Sequence, residues 1–259
     1  MASTITEFSH LQMPLEDILE ATNHFDDKNV IGHGGLGKVY KGKLLRFGKL
    51  VNIAARRLDT KHKRGIEFWT EISAISNEKV IINKHEAKRS LVMYLSNPTL
   101  SWVQRLKICV GVARALSYIH YENGRSYSVL FSEAIGTTGY MDLTIQKTGG
   151  VTYKSDIYSF GVVLWEVLCG RKAFMPNCFN RLLVPLAKFH FEASTVNAIM
   201  LTWLLQNRLS LDSVQIFTSV AYSCLKDERV LRPDMNNIVY ELEKALEFQL
   251  PYEIYIVRY

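Results

Sequence analysis

The sequence predicts an α+β chain, with strands gathered in its first third and helices dominating the rest. Two observations carry this. Val39 to Leu44 and Leu50 to Ala55 mix β-formers around a Phe47-Gly48 turn, reading strand, turn, strand. In Leu100 to His120 (LSWVQRLKICVGVARALSYIH), Trp102, Leu106, Cys109, Val110, Ala113, Leu116 and the pair Tyr118-Ile119 fall as the core face of an amphipathic helix. The other elements follow in order. Leu15, Ile18, Leu19, Thr22 and Phe25 mark one face of a short helix over LEDILEATNHF. Ile66, Trp69, Ile72 and Ile75 recur at helical spacing in IEFWTEISAIS, and a strand is expected from Lys79 to Ile82.

Between the first helix and the hairpin lies IGHGGLGKV, Ile31 to Val39. Gly32, Gly34, Gly37 and Val39 fit the spacing Gly-x-Gly-x-x-Gly-x-Val. Glycine lets backbone approach phosphate oxygens closely. A dinucleotide-binding loop must end a strand and open a helix, whereas here the following residues continue as a hairpin. The loop therefore resembles the one that protein kinases fold over ATP.

Other stretches extend the resemblance. Leu15 to Phe25 resembles the segment before the kinase domain of plant receptor-like kinases. KSDIYSFGVVLWEVLCGRKAF (Lys154 to Phe174) resembles the central helix of the larger kinase lobe, and Arg232-Pro233 with the amphipathic run to Leu246 resembles its last helices. From about Leu15 to about Leu246 the chain thus resembles plant receptor-like or receptor-like cytoplasmic protein kinases, of the type related to malectin-domain receptor kinases. The resemblance implies a two-lobed protein-kinase-like fold with a truncated, β-rich N-lobe and a mainly helical C-lobe. Residues 1–26 would form a juxtamembrane-like segment, 27–86 the N-lobe, 87–250 the C-lobe and 251–259 a tail. ATP and Mg²⁺ would be the family's ligands and Ser/Thr phosphorylation in signalling its activity.

Site residues carry over position by position. Ile31, Gly32, Gly34, Gly37, Val39 and Ala54 would surround the nucleotide. Arg56, in IAARRLD, stands where the family has its phosphate-contacting Lys; its planar fork does not simply replace a compact ammonium. A phosphate contact and an edge arginine without a ligand are equally good readings. Glu71, with Glu67 as rival, is the expected acidic partner of Arg56, and that pair could equally be a structural link between strand and helix. Only twelve positions separate Glu71 from Asn83, so a strand of the N-lobe is missing. In VIINKHEAKRSL, backbone groups of Lys84 and Glu86 would hydrogen-bond adenine.

Two motifs of the resembled family are absent. His-Arg-Asp with its following Asn should come after the Leu100–His120 helix, and Asp-Phe-Gly after that. None of the nine aspartates, Asp17, Asp26, Asp27, Asp59, Asp142, Asp156, Asp212, Asp227 and Asp234, sits in either. Ser159-Phe160-Gly161 belongs to the C-lobe helix instead. Sixteen positions separate His120 from Gly136, where a kinase needs several dozen. No catalytic base and no metal ligand is therefore assigned. Gly136 to Asp142 resembles the end of an activation segment, with Thr137 and Thr138 as substrate-facing residues or phosphosites. Asp142-Leu143-Thr144 replaces Ala-Pro-Glu, so Arg232 is expected to lose its Glu and to contact Asp156 or solvent. Asp156 is expected to be structural, as a helix cap or an anchor for the missing loop.

Composition sets wider bounds. The 259 residues, 48% of them apolar, can bury a large core as one two-lobed unit or two small domains. The net charge of +6 arises from scattered Lys and Arg, so no nucleic-acid partner is expected. Cys109, Cys169, Cys178 and Cys224 lie far apart and read as free thiols in a reducing compartment. MASTITEFSHLQ lacks signal-peptide features, no long apolar run occurs, and Ala2 excludes N-myristoylation. A cytoplasmic chain is expected, reaching the plasma membrane's inner face through a receptor or kinase partner or a lipid. Three readings stay open: an ATP-dependent kinase completed by a longer transcript, a non-enzymatic pseudokinase or scaffold, and a deletion remnant that folds poorly.

Overall fold

A computed structural model of the chain describes residues 13–34, 37–46, 48–58, 80–86, 90–121, 130–131, 137–142, 144–145, 150–206 and 208–254. The chain divides between Arg89 and Ser90 into two compact units. Among the described residues the first holds one helix and a four-stranded sheet, and the second is mainly helical: an α+β chain.

In the first unit, α1 (Leu15–Ala21) ends earlier than its apolar spacing predicts. Asn23, His24 and Phe25 all take left-handed φ angles of 53–57°, costly for non-glycine residues. The buried Thr22 holds this turn: its hydroxyl donates to the Ile18 carbonyl at 2.7 Å and accepts the Phe25 amide at 3.3 Å. Phe25 then meets Tyr40 edge-on, with the Arg57 guanidinium over its ring.

Strands β1 (Val30–Gly34), β2 (Gly37–Arg46), β3 (Lys49–Arg57) and β4 (Val80–Lys84) pair antiparallel in that order. The β2–β3 hairpin turns through Gly48 at φ +73°, as tight hairpin loops require. Side chains alternate between faces. Tyr40, Leu44, Ile53 and Ala55 are buried on one face with Ile18 and Phe25. A Cβ at Gly42 would meet the Ala21 carbonyl oxygen at 2.7 Å, which places the end of α1 on that same face.

The second unit is built from α2 (Trp102–Tyr121), the short pair β5 (Leu130–Phe131) and β6 (Gly150–Val151), α3 (Tyr153–Cys169), α4 (Leu183–Glu192), α5 (Thr202–Leu205), α6 (Leu211–Cys224) and α7 (Met235–Ile254). Ile157, Val162, Leu164, Trp165 and Leu168 of α3 are fully enclosed, the pattern of a helix buried nearly all round. It stops at Gly170, whose φ of 66° supplies the left-handed cap and whose amide donates to the Glu166 carbonyl. Ser159-Phe160-Gly161 lies inside this helix.

Two boundaries differ from expectation. On α2, Trp102, Leu106, Cys109, Val110 and Ala113 are buried, but Tyr118 and Ile119 are 56% and 47% exposed. The last turn of that helix therefore lacks the cover its apolar residues predict. Helix α7 runs on to Ile254 and takes Pro251 into its final turns.

Candidate functional site

The glycine loop lies at the first hairpin. Gly34 pairs with Gly37, and Ile31, 44% exposed, sits at the irregularity in register between Val30 and Gly32. Gly32, Val39, Arg56 and Ile81 stand opposite one another across all four strands, with Lys41, Ala54 and Asn83 as the next row. Both rows occupy the face away from α1. Val39, Ala54 and Arg56 are half-buried there, so the structure brings these three expected residues together. Glu71 and Glu67 lie outside the described residues, as does the helix predicted to carry them; Gly34 and Gly37 are described at the backbone turn.

Lys84 belongs to β4, which runs beyond the predicted end at Ile82; Lys79 is outside the described residues. Lys84 pairs with Ile53, and the next amide, His85 N–H, donates to the Asn52 carbonyl at 2.9 Å. This is the pattern of a non-hydrogen-bonded antiparallel pair, so the Lys84 amide and carbonyl point away from β3. The side chains of Lys84 and Glu86 are exposed and pair with each other at 3.2 Å.

In the helical unit, Thr137 and Thr138 are exposed, at the start of a turn closed by the Tyr140 amide on the Thr137 carbonyl. Behind them the segment is tightly held. The Tyr140 hydroxyl donates to Glu166 Oε1 at 2.6 Å, and the Ala173 amide donates to the same oxygen at 2.7 Å. Burial raises the Glu166 carboxyl above its ordinary value, against the opposing pull of these donors. The Ser159 hydroxyl donates to the Tyr140 carbonyl at 2.9 Å.

Asp142 corrects the expectation for Arg232. Arg232 is neither solvent-exposed nor bound to Asp156: its Nη1 donates to Asp142 Oδ2 at 2.7 Å, with both side chains almost fully buried. Arg229 Nε reaches the same oxygen at 3.1 Å, and Asp142 Oδ1 accepts the amide and hydroxyl of Thr144. Burial pushes the Asp142 carboxyl up, but the Arg232 and Thr144 bonds outweigh it and hold the group well below the usual carboxylate range. Arg232 also donates to the carbonyls of Lys226, Lys154 and Asp227. The Asp is one methylene shorter than Glu, yet it receives the arginine because the chain at Asp142 comes close enough.

Asp156 lies in the first turn of α3 without capping it; the residue before the helix is Thr152. Its Oδ2 instead lies 3.1 Å from Nε2 of the buried His120, at the end of α2. Asp156 thus ties two helices together.

Sequence reasoning missed three groups: His120, the Tyr140–Glu166 pair and Arg105. Arg105 is 1% exposed and donates to the carbonyls of Leu95, Asn97, Leu100 and Val167. The one readable signal was an arginine flanking the apolar stripe of α2. Among the described residues no cluster of three or more His, Cys, Asp or Glu is placed to hold a metal ion, and no helix is long and apolar enough to cross a membrane.

No protein-family model matches the chain. It is 31% identical to a probable receptor-like protein kinase of Arabidopsis thaliana and 30% identical to receptor-like protein kinase HERK 1 of the same plant, each over 95% of this chain and 36% of the relative. Receptor-like protein kinase FERONIA, also from Arabidopsis thaliana, is 28% identical over 90% of this chain and 32% of its own length. The chain thus spans about a third of the length of the relatives it matches. Taken with the α+β fold and the glycine hairpin, these matches relate nearly the whole chain to one portion of the plant receptor-like protein kinases.

Proposed function

We propose that this chain is a kinase-related signalling module that does not transfer phosphoryl groups and acts by binding a receptor or kinase partner. One observation carries the reading: the chain has no His-Arg-Asp and no Asp-Phe-Gly, and its described aspartates are mostly engaged elsewhere. Asp26 accepts the Lys28 amide, Asp27 pairs with Lys38, Asp142 with Arg232, Asp156 with His120 and Asp227 with Lys188, while Asp234 accepts the Asn237 amide.

The missing groups matter energetically. A positioned general base supplies about 10²–10⁴ in rate, roughly 3–5 kcal/mol of barrier. Mg²⁺ neutralises the β- and γ-phosphates and needs oxygen ligands, and the described residues do not fit that ion. The alignment to HERK 1 extends over 304 positions, of which 95% of 259 residues fill only about 246. Some 58 positions of the relative therefore have no counterpart here, in keeping with lost internal segments. The continuous apolar core of the helical unit, from Leu95 to Ala245, favours a folded binding module over a poorly folding remnant.

The test is transfer of labelled phosphate from ATP to the chain itself and to generic protein substrates, with Mg²⁺ or Mn²⁺. The expected result is none above the protein-free blank. Metal-dependent transfer that disappears in Arg56→Ala would overturn the proposal.

A further inference from the structure

Helix α3 leads to α4 through a hairpin-like loop that turns its apolar residues outward. Phe174 pairs antiparallel with Leu182, the Met175 amide donates to the Arg181 carbonyl at 2.8 Å, and the Leu183 amide donates to the Ala173 carbonyl at 2.9 Å. Arg171 Nη2 closes the loop on the Asn180 carbonyl at 2.7 Å. These bonds hold Phe179 at the tip, where it is fully exposed at 102%. Leu182, Pro185 and Phe189 follow at helical spacing, on the side of α4 opposite the buried Leu183 and Ala187, and all three are exposed, Phe189 by 64%. Single exposed apolar residues are ordinary, whereas four in succession along one braced edge form a patch. From Val167 to Phe191 the sequence holds Arg171, Lys172, Arg181 and Lys188 and no Asp or Glu. Lys172 and Arg181 are exposed at the base of the loop. Towards the other end of α4, Lys188 pairs with Asp227, and Glu192 accepts the Tyr222 hydroxyl.

We propose that this edge, Phe179 with Leu182, Pro185 and Phe189, flanked by Lys172 and Arg181, docks on an anionic lipid bilayer. The inference rests neither on the lack of phosphoryl transfer nor on a receptor or kinase partner. Shape and charge identify the occupant. A loop tip is convex, so its ring needs a medium that closes around it, and a bilayer does so at any point of its surface, whereas a protein would need a pocket matched to the tip. Lipid phosphates lie just outside the acyl chains. An apolar tip that sinks about 5–10 Å into the headgroup boundary therefore brings the cations at its base to those phosphates. Each Lys or Arg near an anionic surface strengthens attachment about fivefold, and withdrawing a phenylalanine ring from water adds about tenfold or more. The hydrogen bonds that brace the loop also matter, because a segment ordered beforehand loses little conformational freedom on docking.

The experiment is co-sedimentation of the full chain with vesicles of phosphatidylcholine alone and of phosphatidylcholine with phosphatidylserine at about 3:1, each at low and high salt. Binding is expected on the mixed vesicles, about tenfold or more weaker on the neutral ones, and weakened by salt. The double variant Lys172→Glu/Arg181→Glu should lose about tenfold or more of the binding to mixed vesicles, and Phe179→Ser about tenfold. Both change exposed residues, and unchanged thermal melts check that the fold is intact. Phe179→Trp gives a direct readout: relative to the unaltered chain, its added emission should shift to the blue on mixed vesicles and be quenched by brominated acyl chains. Leu211→Ala, at a position 82% exposed on α6, is the control and should bind like the unaltered chain. No binding to mixed vesicles, binding that ignores either the charge reversal or Phe179→Ser, or an emission that neither shifts nor is quenched overturns the inference. An equal loss in Leu211→Ala does so too, since adsorption would then not depend on this edge. A chain that ignores vesicles yet binds an acidic amphipathic peptide through Phe179 makes the edge a protein-docking site, which equally overturns it.

Discussion

Replacing Asp142 by Asn tests whether a short carboxylate anchors the segment that carries Thr137 and Thr138. The carboxylate accepts four bonds, two from Thr144 and one each from Arg229 and Arg232. Asn keeps the shape but has one acceptor oxygen, so its amide must face either the guanidinium or the Thr144 donors. Removing one partner of a buried ion pair typically costs about 3–5 kcal/mol. The lower end applies here, because Arg232 retains three backbone carbonyls and Arg229 retains the Gly150 carbonyl. A loss of about 3 kcal/mol corresponds to a melting point lower by about 6–12 °C for a chain of this size class. The pH dependence gives an independent sign. The Asp142 carboxyl is held below its ordinary value in the folded state, so its contribution is fully present above the unfolded value of about 4. It is lost as pH falls below that value through the folded one. Asp142→Asn should remove that part of the acid destabilisation. Thermal melts at pH 7 and along a series from pH 5 to 3 make the comparison. A shift below about 2 °C at pH 7, with an unchanged acid slope, would refute the anchoring argument.

One further substitution and one labelling experiment probe the helical core. Gly161→Ala should destabilise by about 1–3 kcal/mol in urea melts, although alanine favours a helix by up to about 1 kcal/mol. The reason is packing, since a Cβ there would come within 2.5 Å of the Cys224 Cβ; a neutral or stabilising result would show that α3 and α6 can separate freely. Burial pushes the Cys109, Cys169 and Cys224 thiols up to about 12, whereas Cys178 is only half-buried. Native alkylation near pH 8, mapped by mass spectrometry, should therefore modify Cys178 first, and early labelling of Cys224 would contradict the enclosed core.

What the sequence made legible follows from how local each cause was. The β2–β3 hairpin and α3 were readable because a turn glycine and a long apolar run act within a few residues of themselves. Helix α1 was overextended because Phe25 does occupy an apolar position at helical spacing; the chain delivers it to Tyr40 through three left-handed residues braced by Thr22, and nothing in the periodicity reports that brace. Tyr118 and Ile119 fail for the converse reason. Their spacing was right, but burial needs a neighbour, and a stripe does not say whether one is present. At Arg232 the sequence shows a glutamate missing from one position, but not that another carboxylate, Asp142, reaches the guanidinium. Asp142 lies 90 positions away in sequence, and only the folded chain shows that the distance is closed. The same logic bears on the face of the sheet away from α1. Lys41, Lys43 and Arg56 look scattered in the sequence, and it is the ladder register that gathers them on one side.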